Sequence, residues 1–152
     1  MTVDSVASGG IVSSSWGNDV AAAINLNTAA TEFTYTTTAP TAGTGWSIDA
    51  FEAYYSSTFM VLKLTVERTG TAITVPTTGN FTNELVATLD AEVHGTSGFD
   101  STLGGGGSGR VTSGYINPNT GEVRLSAVAG SANVATNDVL ELSGFVFLGV
   151  PV

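Results

Sequence analysis

Gly109–Leu148 reads GRVTSGYINPNTGEVRLSAVAGSANVATNDVLELSGFVFL. Two alternating stretches, Arg110–Ile116 and Glu122–Ala127, flank Asn117-Pro118-Asn119-Thr120-Gly121, and a third from Val139 to Leu148 follows a Gly/Ser/Asn loop. Side chains of an extended strand point alternately to its two faces, and an Asn-Pro-Asn-Thr-Gly run supplies the backbone conformations a tight connection needs. The stretch therefore predicts antiparallel β-structure, with a hairpin centred on Pro118.

The same period runs upstream. Trp46, Ile48 and Ala50 alternate with Ser47 and Asp49, and Met60, Leu62, Leu64 and Val66 alternate with Val61, Lys63, Thr65 and Glu67 before a turn at Thr69-Gly70. Ile73-Thr74-Val75-Pro76 predicts a short strand ended by proline. Glu84 to Glu92 predicts another, with Leu85, Ala87 and Leu89 on one face. Gly95 to Gly109, with its run Gly104-Gly105-Gly106-Gly107, predicts a long mobile loop. Six to eight short strands without interleaved helices predict an all-β fold, an antiparallel β-sandwich of jelly-roll-like order.

Upstream of the strands the pattern changes. Ser13 to Asn27 predicts a short helix: serines offer an N-cap, Asp19 sits in the first turn, and Trp16, Val20, Ala23, Ile24 and Asn27 share one face. Three turns alone are marginal in water, so this helix needs a surface to dock on. Trp16, Val20 and Ile24 are the expected attachment residues. Thr36 to Gly45, TTTAPTAGTG, cannot build a core and predicts a linker. The expected organisation is thus an arm and helix over 1–35, a linker over 36–45 and a β-domain over 46–152.

Only 11% of the 152 residues are charged, against about 25% in ordinary soluble proteins. Either Ser and Thr cover the exposed face, or the protomer hides surface against copies of itself or a neighbour; the two are compatible. Thirteen acidic residues against four basic ones give −9, and Lys63, Arg68, Arg110 and Arg124 are scattered. That balance disfavours nucleic acid and anionic membranes as partners. There is no cysteine, hence no disulfide framework. No basic-then-apolar leader is visible at the amino terminus, and the longest apolar runs, Phe59-Met60-Val61-Leu62 and Phe145-Val146-Phe147-Leu148, fall far below the ~20 residues of a membrane helix.

Side chains for catalysis are scarce. His94 is the only histidine, and strand alternation would project Asp90, Glu92 and His94 from one face. Such a trio is a candidate cation or acid/base site, or else the solvated outer face of a strand. The glycine run lacks the strand-to-helix setting and following Lys-Ser/Thr of a phosphate loop. Phe51, Tyr54 and Tyr55 can line a sugar-binding surface, or serve core and subunit contacts. No catalytic set and no cofactor are expected.

Several of these segments carry a resemblance. Lys63–Gly70 (KLTVERTG), Gly79–Asn83 (GNFTN), Leu85–Leu89 (LVATL), Gly109-Arg110, Gly121–Leu125 (GEVRL) and Leu140–Gly144 (LELSG) resemble, in order and spacing, the β-sandwich knob of tailed-phage fibres and minor tail proteins. Gly10–Val20 (GIVSSSWGNDV) resembles the opening of small minor tail proteins of phages that infect actinobacteria. After Leu89 the chain departs from the knob pattern, having Asp90–Gly95 (DAEVHG) where that family has a proline-containing element. The resemblance implies a homotrimer. The expectation is a non-enzymatic virion structural protein, a trimeric minor tail or fibre-type component attached by its arm, with other virion proteins and a host surface glycan as partners. The alternatives are a trimeric capsid decoration protein and a carbohydrate-binding module.

Overall fold

The computed structural model describes residues 33–56, 58–91, 93–94, 101–129 and 133–148, with the side chains of 81 and 82 left out of the description. The arm, its helix and the attachment residues Trp16, Val20 and Ile24 lie outside these residues, as do Glu92 and the segment 95–100. The described β-unit begins at Phe33.

Among the described residues there are nine strands: β1 (Thr34–Thr36), β2 (Thr41–Ala42), β3 (Trp46–Tyr55), β4 (Phe59–Arg68), β5 (Asn80–Thr88), β6 (Ser101–Gly107), β7 (Arg110–Ile116), β8 (Glu122–Val128) and β9 (Val139–Phe147). All neighbours are antiparallel, in the order β1-β3-β4-β9-β6-β7-β8-β5-β2. The all-β antiparallel expectation holds. Where two separate sheets were expected, the strands form one curled sheet, a half-barrel, because β6 pairs with both β7 and β9 and so joins the two halves.

Local chemistry accounts for the hairpins. Between β7 and β8 the Asn117 carbonyl accepts from Gly121 N (2.8 Å), Asn117 Oδ1 accepts from Asn119 N (2.9 Å), and Gly121 adopts φ +72°. Between β3 and β4, Ser56 Oγ accepts from the backbone N–H groups of Thr58 and Phe59 at 3.3 and 3.4 Å. β9 then lies beside β4 over a nine-residue register from Phe59↔Phe147 to Glu67↔Val139, placing the last described strand near the middle of the sheet.

The glycine run is the clearest departure from expectation. Ser101–Gly107 is an interior strand, not a loop. A Cβ on Gly105 would run into the Glu141 carbonyl of β9, so only glycine permits this approach. The putting of four glycines in one strand reads as loop by composition and as close packing by geometry.

Residues 36–45, expected as a linker, include strand β2 and follow directly on β1. β1 pairs with β3 at one edge and β2 with β5 at the other, so this short segment runs between both edges of the half-barrel. On the inner face, Leu62, Leu64 and Val66 of β4, Leu140, Leu142 and Val146 of β9, and Leu103, Ile116, Val123, Leu125 and Val86 from the other half form a buried core. Each such side chain contributes roughly 1.5–3 kcal/mol on leaving water. The halves are clamped by Glu84 Oε1 of β5, which accepts from Arg68 Nη1 (3.1 Å) and Trp46 Nε1 (3.2 Å).

Candidate interaction face

Because Ala53, Met60, Leu62 and Val146 point into the core, their neighbours Tyr54, Val61 and Phe145 point outward. Register places Tyr35, Tyr54, Val61 and Phe145 in one row across β1, β3, β4 and β9, and Phe59 beside Phe147 in the next. Phe33 adjoins that second row through Phe59. The rings touch: Phe33–Phe59 at 4.9 Å, Phe59–Phe145 at 5.0 Å, Phe145–Phe147 at 5.3 Å and Tyr35–Tyr54 at 4.7 Å between centroids. Yet Phe33, Tyr35, Tyr54, Val61 and Phe145 are about half exposed, and Phe147 is 62% exposed.

The two apolar runs of the sequence thus pair with each other and are apolar on both faces. A sheet with one solvated face alternates; a sheet covered on both faces does not. On the order of 600 Å² of apolar side chain lies open here, at the top of the range for the largest patch on a monomer.

Among the described residues, charge borders this face beside the Val61 row. Glu52 and Lys63 are cross-strand partners, and Lys63 Nζ lies 3.2 Å from Glu141 Oε2. The Tyr35 hydroxyl is held above the ordinary phenol range by partial desolvation first, then by the nearby Glu52 carboxylate and by Tyr54. Elsewhere Arg68 pairs with Glu84, Arg110 with Asp138 (2.6 Å) and Arg124 with Glu122 (3.2 Å), so every one of the four basic side chains has a carboxylate partner.

Of Phe51, Tyr54 and Tyr55, the aromatics singled out by sequence for a sugar-binding surface, Tyr54 joins the face. Phe51 is in the core, and Tyr55 is half-buried against it. Phe33, Tyr35, Phe59, Val61, Phe145 and Phe147 escaped the sequence reading, although the unbroken apolar runs at 59–62 and 145–148 carried the signal.

The acidic trio takes a different form from the one expected. β5 ends at Thr88, and after the Leu89 N to Gly121 O bond (2.9 Å) the chain turns, with Val93 N donating to the Asp90 carbonyl (2.9 Å). Strand alternation does not extend over Asp90–His94, so it does not align these residues on one face. Asp90 is exposed, His94 is half-buried with Nδ1 3.1 Å from the Pro118 carbonyl, and Glu92 lies outside the described residues. Among the described residues no three His, Asp or Glu side chains are grouped as a metal site. A shallow trough of about 310 Å³ along Thr65, Gly106, Gly107, Ser108, Val139 and Glu141 contains one carboxylate, already paired with Lys63.

In comparisons with known proteins, no family model matches this chain and no curated protein matches it. The aromatic face is therefore the principal guide to function.

Proposed function

We propose that this chain is a non-enzymatic virion structural protein, a protomer of a homotrimeric minor tail or fibre-type component. The observation that carries the reading is the contiguous aromatic outer face on a hydrogen-bonded half-barrel: it is built for contact with another protein surface. The pairing of all four basic side chains fits a protein whose partners are neither nucleic acid nor anionic lipid. The two halves of the curled sheet face each other across the core as the layers of a sandwich do, and in this reading they serve as the jelly-roll-like knob. In this reading residues 1–32, which precede the β-unit, attach it through the apolar face of Trp16, Val20 and Ile24 read from the sequence.

The test is localisation in purified particles with an antibody against the chain. Label on tails is expected. Label confined to heads would replace this reading with that of a trimeric capsid decoration protein, and absence from particles would refute both. A carbohydrate-binding module draws less support: ligand sites are concave and set polar groups among their apolar walls, whereas this face is the outer surface of a curled sheet and its phenylalanines meet one another.

A further inference from the structure

We propose that the outer face of β1, β3, β4 and β9 is the surface on which copies of this chain pack against one another, its occupant being a second copy of the same face or its immediate surroundings. The proposal rests on the reading of the chain as an assembling protomer and adds which face assembles.

Area is the first argument. A stable interface buries about 800 Å² per partner around an apolar centre with a polar rim. The open apolar side chains supply most of that centre, and Glu52, Lys63, Thr65, Ser143 and Glu141 on the same face supply a rim. Aromatic side chains dominate the centre, the type that carries most binding energy in interfaces.

Charge is the second. A chain of net charge −9 repels its own copies, over a range of about 8–10 Å in physiological salt. The rows Tyr35-Tyr54-Val61-Phe145 and Phe33-Phe59-Phe147 contain no carboxylate, so two copies approach here with little of that repulsion. The rim carries both signs, with Lys63 between Glu52 and Glu141, so it adds little of the chain's net negative charge to the contact. A basic partner finds no carboxylate in the centre to bind. An anionic membrane meets no unpaired cation among the four the chain has.

Sedimentation equilibrium on the full chain tests this, comparing wild type with Phe145→Ser/Phe147→Ser and with Val61→Lys. All three positions are exposed, so circular dichroism should show unchanged strand content. Wild type should form a discrete oligomer, at least as strong at about 0.5 M salt as at low salt because the contact is apolar and the repulsion is screened. Both variants should dissociate at least 100-fold more readily, and Val61→Thr should stay close to wild type. An oligomer unaffected by either variant would overturn the assignment of this face while leaving the homotrimer reading standing. A wild-type monomer would overturn the proposal, whether residues 1–32 of the same chain, a lipid vesicle or a glycan then proved to quench the exposed tyrosines. Particle localisation is a separate readout, so a correct virion assignment survives failure here and the reverse.

Discussion

Glu84→Ala removes the carboxylate of β5 that holds Arg68 and Trp46 of the other half of the half-barrel. Arg68 is 9% exposed at its side chain and Glu84 is 33% exposed, with Nη1–Oε1 at 3.1 Å. The guanidinium also stacks over the Trp46 ring at 5.1 Å and donates from Nε to the Thr71 carbonyl at 3.0 Å, so it cannot swing into solvent without losing both. Stripping a fully buried cation of its partner costs about 3–5 kcal/mol. Water reaches the exposed third of Glu84, which lowers the expected loss to about 2–3 kcal/mol. Arg68→Met should cost less, about 1–2 kcal/mol, because methionine fills part of the space and the abandoned carboxylate can hydrate. Urea unfolding followed by far-ultraviolet circular dichroism measures both, and the Glu84→Ala midpoint should fall by about 10 °C in a thermal scan. A Glu84→Ala loss under about 0.5 kcal/mol, or an Arg68→Met loss exceeding it, would refute the clamp as the element that closes the sheet.

Two further outcomes follow from single positions. Gly105→Ala should destabilise by about 2 kcal/mol or more, since its Cβ meets the Glu141 carbonyl, whereas Gly104→Ala, with open space around it, should change stability by less than about 0.5 kcal/mol; parallel thermal unfolding distinguishes them. Tyr35 should ionise late, at higher pH than a free phenol, in a spectrophotometric titration, and Tyr35→Phe should remove a late phenolate step: its folded-state value is raised, so its contribution to stability is present below the unfolded value of about 10 and is lost as pH rises through the folded one.

The hairpin around Pro118 was legible because turn residues and alternation agree over Arg110–Val128. β4 and β9 were legible for the same reason. What escaped depends on non-local pairing. Nothing in Gly104–Gly107 announces that β9 lies too close for side chains, so composition favoured a loop. Thr34–Thr36 and Thr41–Ala42 become strands only because the free edges of β3 and β5 are there to pair with. The single sheet follows from β6 bridging β7 and β9, a choice made between segments about forty residues apart in sequence. For Asp90 and His94 the period-two argument has no force, because β5 stops at Thr88 and Glu92 lies outside the described residues.

The candidate face was half visible. Phe59–Leu62 and Phe145–Leu148 read as strand and as too short for a membrane helix, but not as a contact face. Their lack of alternation states that a strand is apolar on both sides, and pairing Phe59 with Phe147 brings those sides together. Phe33 and Tyr35 complete the face only through the β1–β3 pairing, which follows from three residues of a strand too short to recognise in advance.

The chain has no cysteine, so single cysteines at Ser143, on the rim of the face, and at Thr120, on the β7–β8 turn of the other half of the sheet, can each carry a nitroxide without competing labels. Pulsed electron–electron resonance on the assembled protein then reads the separation between copies at each site. The account predicts that the Ser143 labels lie much closer together than the Thr120 labels; Ser143 labels no closer than those at Thr120 would contradict it.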